Sequence, residues 1–300
     1  MNSADLIRTE PYAGPSGPTP PGCAAALEGD YIDRVRALPS LPQLVMELQA
    51  AMQQEDIDIH TLAERITLDA ALAARILRLA NSSFYGVSSK VVTVQQAVSI
   101  IGFASIRTLV TACSIIGNFA PHRDAAFDLV GFWRHATATA VCARVLAPYM
   151  QLNPEHAFIA GMLHDIGRLV IATQCQEQYL QVARFARDND CSLLFAENAV
   201  LGIDHARIGS ALAAHWHFPA LIGAAVAGHH QCAGDAAQPA LTVLIGLANA
   251  LAHVVDAPGG SLAPLSCVLP FMIPVPDDDW DRVRGEMVTL FGELCQVLTP

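Results

Sequence analysis

The chain has 300 residues, 53% of them hydrophobic and only 15% charged, a composition too apolar for disorder and a length that buries a core without disulfides or metal. It fits one large or two closely packed domains. Seventeen basic residues against twenty-eight acidic ones give a net charge of −11, which repels a phosphate backbone and makes nucleic acid a poor partner.

The opening residues, MNSADLIRTE, carry Asp5 and Glu10 and lack the apolar stretch of a secretory signal, so a cytoplasmic location is expected. Residues 1–30 read as a loose tail. Within them TEPYAGPSGPTPPG, from Thr9 to Gly22, holds five prolines and three glycines, and no helix or strand propagates through that text. The eight cysteines stand singly, with no Cys-x-x-Cys pair, and read as reduced structural thiols.

From Tyr31 onward helical patterns follow one another with almost no period-two alternation, so the expected fold is all-α. Asp69 caps a helix over Ala70 to Asn81, with Leu72, Ile76 and Leu79 at helical spacing. Thr93 and Gln96 have the spacing of a capping box, Gly102 ends that helix, and a second runs from Ser105 to Ile116. This pair superficially resembles a helix-turn-helix, but Arg107 is its one base and Ile106, Leu109, Val110 and Ile115 dominate the second helix, so a packed core element is expected and DNA is not. Nor is a membrane span, since Arg107 interrupts the longest apolar run, Gly102 to Ala120. Asn153-Pro154-Glu155 opens a helix expected to run through His164-Asp165. Later helices are expected near Arg207 to Trp216, Pro219 to His229, Pro239 to Val255 and Trp280 to Leu298.

Along these helices lie His135, His164-Asp165, His205 and His229-His230, nitrogen and carboxylate donors suited to a divalent transition metal such as Fe, Mn, Ni or Zn. Their wide spacing requires separate helices to converge, as in metal sites of helical bundles. A lone histidine among apolar residues is usually a hydrogen-bonded core group, and His215 and His217, flanking Trp216, are read that way.

The strings LPSLPQLVMELQ, LDAALAARILRLANSSFYG, VQQAVSIIGFASIRTLV, FWRHATATA, GMLHDIGRLV and HARIGSALAAHWHFP, followed by His229-His230, resemble consecutive blocks of the bacterial HDOD (HD-related output domain) family, from about Ala37 to about His253. The resemblance implies an N-terminal helical subdomain, residues 31–120, packed on an HD-like helical bundle, residues 121–256, with a C-terminal loop and helix over 257–300. It also implies a role in bacterial signal output, with other signalling proteins as partners. On the pattern of the wider HD and HD-GYP phosphohydrolases, His135 is the first metal ligand and His164 and Asp165 are the defining pair. His205, His229 and His230 are the further imidazoles, and Asn249 stands at the late acid.

That asparagine is a neutral, weaker ligand than a carboxylate. Gly131 stands one turn before His135 where relatives with several metals can carry an acid, and no Gly-Tyr-Pro follows His230. Arg168 falls where HD-GYP enzymes have a phosphate-contacting lysine and is the candidate phosphate ligand, with an ion pair as its bland alternative. The expected function is therefore regulatory output through protein interaction or ligand sensing, with a degenerate metal pocket that holds a metal or none. The alternative is a metal-dependent phosphohydrolase acting on a nucleotide or cyclic dinucleotide, with Asp165 as its catalytic residue. Phe84 and Tyr85, in the NSSFYG loop between helices, are the candidate partner contacts.

Overall fold

The computed structural model describes residues 24–50, 59–81, 87, 90–119, 127–231, 238–256 and 273–298, and among them every regular element is a helix. The N-terminal part comprises α1 (Ala24–Arg36), α2 (Gln43–Ala50), α3 (Ile59–Thr67), α4 (Ala70–Ala80), α5 (Val94–Ile101) and α6 (Phe103–Asn118). The larger part comprises α7 (Leu129–Leu146), α8 (Pro154–Leu163), α9 (Ile166–Gln174), α10 (Gln176–Asp188), α11 (Leu193–Leu201), α12 (His205–His215), α13 (Ala220–Gly228) and α14 (Ala240–Asp256). A last helix, α15 (Trp280–Leu298), packs against α4 and α7. The helix α1 begins at Ala24, inside the stretch read from sequence as tail, while Phe84 and Tyr85 lie outside the described residues.

The helix ends follow side-chain chemistry. Asp69 accepts from the backbone N–H groups of Ala71 and Leu72 to start α4, and Thr93 and Gln96 form a reciprocal capping box on α5. Gly102, at φ 87°, makes the turn into α6, and the pair α5–α6 bends by 119°. On α6, Ile106, Leu109, Val110, Ile115 and Ile116 are all buried, as the apolar text of that helix requires. No single helix among the described residues is long and apolar enough to cross a membrane.

The helix α7 is buried from Ala136 to Ala143 without interruption, and its run of small residues lets α8 and α14 lie close against it. A side chain at Gly161 of α8 would place its Cβ 2.7 Å from the Ala140 Cα of α7. Similarly, a Cβ at Gly167 of α9 would fall 2.0 Å from the His205 carbonyl oxygen and 2.8 Å from the Gly209 backbone nitrogen, so α9 and α12 touch backbone to backbone. These two contacts bring α7, α8, α9 and α12 together around one point.

The two parts share a single apolar core. Trp216 Nε1 donates to the Pro39 carbonyl at 3.1 Å and His215 Nε2 lies 3.1 Å from the Leu38 carbonyl, which ties the end of α12 to the segment after α1. His215 is thus a packing and hydrogen-bonding residue. At the α6–α8 joint, Arg144 pairs with Glu155 at 3.0 Å and both reach Ser105.

The Gly167 contact leaves no room for even one methyl group, and the atoms it meets are backbone. Gly167→Ala is therefore expected to lower stability by about 1–3 kcal/mol, the usual range for forced overpacking, read as a fall in the urea midpoint; an unchanged midpoint would mean that α9 and α12 can part without loss.

Candidate metal centre

The sequence pattern runs on without a break through GMLHDIGRLV, and one helix through His164-Asp165 was the expectation. The structure corrects this: α8 stops at Leu163, His164 is its C-cap, and Asp165, at φ −102° and ψ 6°, precedes α9. An aspartate before a helix ordinarily caps it with its own side chain. Asp165 does not, and its two oxygens turn instead to side chains from three other positions. Arg168 donates to Oδ2 at 2.9 Å, His205 Nε2 lies 3.2 Å from Oδ1, and His229 Nε2 lies 3.5 Å from Oδ1.

His164 and His229 occupy matching positions, each one residue past the end of a helix. Their Nδ1 atoms lie 2.7 Å from the carbonyls of Gly161 and Val226, orphan acceptors of the last helical turn. A carbonyl only accepts, so each Nδ1 carries the hydrogen, and in the neutral ring it is Nε2 that presents the lone pair. Both Nε2 atoms are buried and have no hydrogen-bond partner. Burial pushes His164 down to about 3, so it stays neutral.

His205 is held differently. Glu197 of α11 accepts from its backbone N–H at 2.9 Å and from its ring Nδ1 at 2.6 Å, leaving Nε2 to face Asp165 and His230, whose Nε2 is 2.8 Å away. Although burial opposes it, the negative charges of Glu197 and Asp165 raise His205 to about 10. Burial is likewise the largest influence on Asp165 and would raise it, yet the adjoining His164 ring, the positive charge of Arg168 and the hydrogen bond from His205 hold it well below the usual carboxylate range. Burial and the neighbouring imidazoles of His229 and His205 lower His230, at the exposed rim, to about 2.

On the other side of Asp165, His135 of α7 places Nε2 2.9 Å from Asn249 Oδ1 of α14, and its ring stacks on His253 at 4.6 Å. Burial lowers His135 to about 4.

All the sequence-derived candidates from His135 to Asn249 therefore meet in one pocket. Donor atoms of Asp165, His205, His229 and His230 lie within 4.8 Å of one another, as do those of His135, His164 and Asp165, so Asp165 belongs to both groups. Arg168, with 22% of its side chain exposed, ion-pairs with Asp165. Sequence reading missed Glu197 and His253. The signal for Glu197 was a lone acid in the apolar run LLFAENAVL; His253 lies one helical turn beyond Asn249, on the same face of α14.

The pocket fits a transition-metal ion on chemical grounds. Two imidazoles have their hydrogens tied back and their lone pairs buried without partners, and a third is oriented by a carboxylate, the arrangement that fixes metal-ligating histidines.

A helical bundle that closes the His164-Asp165 pair and further histidines around one break is the arrangement that the resemblance implies. The HDOD domain model matches residues 38–232, and the chain belongs to the HDOD family. It is similar to a candidate phosphohydrolase from Shewanella amazonensis SB2B, with 27% identity and a TM-score of 0.75 over 89% of this chain and 97% of that one. A candidate signal transduction protein from Marinobacter aquaeolei VT8 shares the fold at 19% identity and a TM-score of 0.67, over 92% of this chain and 66% of that one. An uncharacterized protein from Treponema pallidum (strain Nichols) is 24% identical over 206 residues, which are 68% of this chain and 40% of that protein. The chain thus spans well under half of that relative's length.

The imidazole shifts carry a sign that can be checked in metal-free protein. His135, His164 and His230 are depressed, so the stability each contributes is present above about pH 6.5 and lost as the pH falls towards their folded values. His205 is raised, so its contribution is full below about pH 6.5 and is lost as pH rises through about 10. Lowering the pH from about 7 to about 5.5 is expected to cost about 1 kcal/mol for each of His135 and His164. His135→Gln should remove about that much of the wild-type pH dependence in urea unfolding with EDTA, whereas an identical dependence would show that His135 is already protonated in the fold.

Proposed function

We propose that the protein is a bacterial signal-output module that acts on other signalling proteins, and that its HD pocket serves as a metal-dependent structural or ligand-sensing centre rather than an efficient hydrolytic site. The observation that carries this reading is the carboxamide of Asn249 against His135, where the HD pattern implies an acid. An amide brings no charge to balance a cation, and Arg168 already sets a permanent positive charge on Asp165. Family membership supports the output role. His135, His164, Asp165, His205, His229 and His230 are the residues that would hold a divalent ion such as Fe, Mn, Ni or Zn. When bound, such an ion supplies a Lewis acid and an activated water. Asp165 orients the imidazoles around it, and Arg168 has guanidinium N–H groups left over for a phosphate of a nucleotide or cyclic dinucleotide. Phe84 and Tyr85 are the proposed contacts for a protein partner.

The second reading, a phosphohydrolase with Asp165 as a catalytic residue, draws on the two donor groups that share that carboxylate and on the likeness to the Shewanella protein. Turnover of bis(p-nitrophenyl) phosphate and of cyclic dinucleotides by metal-reconstituted protein separates the two. The wild type is expected to stay within about tenfold of the His164→Ala control, a difference of about 1.4 kcal/mol in barrier. Vigorous turnover that His164→Ala abolishes would establish the hydrolase, and a large gain on Asn249→Asp would mark a disabled one.

A further inference from the structure

The two halves of the pocket are unequal, and the inequality bears on how many ions it holds. On one side, Asp165 Oδ1 faces His205 Nε2 at 3.2 Å and His229 Nε2 at 3.5 Å, and His205 Nε2 lies 2.8 Å from His230 Nε2. Ligands about 2.1 Å from a tetrahedral ion stand about 3.4 Å apart, so these donors need little adjustment to share one. The donors on this side are oriented by fixed partners: Val226 O holds His229, and Glu197, gripping both the backbone N–H and the ring of His205, sets that ring's direction. His230, at the exposed rim, gives an ion a way in.

On the side of His135 and His164, the Gly161 carbonyl orients His164 as Val226 orients His229, but the carboxylate support differs. The carboxylate oxygen nearer His164, Asp165 Oδ2 at 3.6 Å from Nε2, carries the Arg168 guanidinium at 2.9 Å. A cation bound there meets a fixed positive charge on the same oxygen. His135 is engaged with Asn249, and its outer face is covered by the stacked ring of His253. Among the described residues, the carboxylates hydrogen-bonded to the candidate ligands are Asp165 and Glu197, and Arg168 offsets one of them. One divalent ion already overcompensates the remainder, and a second would leave a large excess of positive charge in a buried site, at a steep electrostatic cost.

We infer that this pocket binds a single divalent ion, on Asp165, His205, His229 and His230, with Glu197 as the positioning residue for His205 and with Arg168 and Asn249 keeping the His135–His164 side free of metal. The inference rests on the metal-centre reading proposed above and narrows it to one side and one ion.

The test uses the full chain stripped with EDTA, loaded with Zn(II) and freed of excess ion, with bound metal counted by mass spectrometry, affinity read by competition with a chromophoric chelator, and thermal unfolding compared with and without Zn(II). The wild type should carry one ion per chain and gain stability from it. His135→Gln should keep that ion, His230→Gln should lose it, and Glu197→Gln should weaken binding by about 10–100-fold. The double variant Arg168→Met with Asn249→Asp should take up a second ion. Two ions in the wild type, or an ion lost with His135→Gln and kept with His230→Gln, overturns the assignment. If His230→Gln fails to fold, the ion count of the double variant and the Glu197→Gln affinity still decide. No ion in the wild type overturns this inference together with the metal-centre reading, whereas one ion accompanied by vigorous phosphodiester turnover overturns the output reading and leaves the assignment standing.

Discussion

A buried carboxylate in an otherwise apolar bundle is the constraint around which this protein is arranged. Asp165 is nearly inaccessible, and an unpaired charge there would cost several kcal/mol. The fold meets that demand with side chains from four elements: Arg168 from the next turn of its own helix, His164 from the end of α8, His205 from the start of α12 and His229 from the end of α13. Those elements reach Asp165 because small residues remove the side chains that would keep them apart. Gly161 lets α8 rest on α7, and Gly167 lets α9 rest on α12. Helix packing and pocket chemistry are therefore one requirement met twice over.

Local features of the fold were legible in the sequence because local chemistry sets them. The Asp69 cap, the Thr93–Gln96 box, the Gly102 turn and the Asn153 start all appear where side-chain spacing predicted them. The break at His164-Asp165 was not legible. Periodicity records which residues face the core, and GMLHDIGRLV is apolar on both sides of the break, so nothing in its pattern marks a change of axis. The break exists because Asp165 finds its partners elsewhere in the chain, and those partners are long-range. Glu197 was hidden for the same reason: its role is defined by His205, and a single acid in an apolar helix carries no label for what it will touch.

The residues of the pocket, in contrast, were named from an ordered set of blocks, and the structure brings His135, His164, Asp165, His205, His229, His230 and Asn249 into one place. Spacing alone did not separate the two sides of that place. The separation depends on which oxygen of Asp165 faces which partner, and on Arg168 reaching back one turn to occupy one of them. Such distinctions turn on directions of side chains rather than on residue types.

The helix α12 has one property beyond supplying an imidazole. Its first residue, His205, lies in the pocket, and its last, His215, together with Trp216, is pinned to the carbonyls of Leu38 and Pro39 from the N-terminal part. Eleven residues at about 1.5 Å each make a rod about 16 Å long with few ways to bend. Backbone contact at Gly167 and Gly209 sets a fulcrum near one end of it. Any tilt that accommodates a new occupant at His205 swings the far end through a larger arc, and the strap at Leu38 and Pro39 must travel with it.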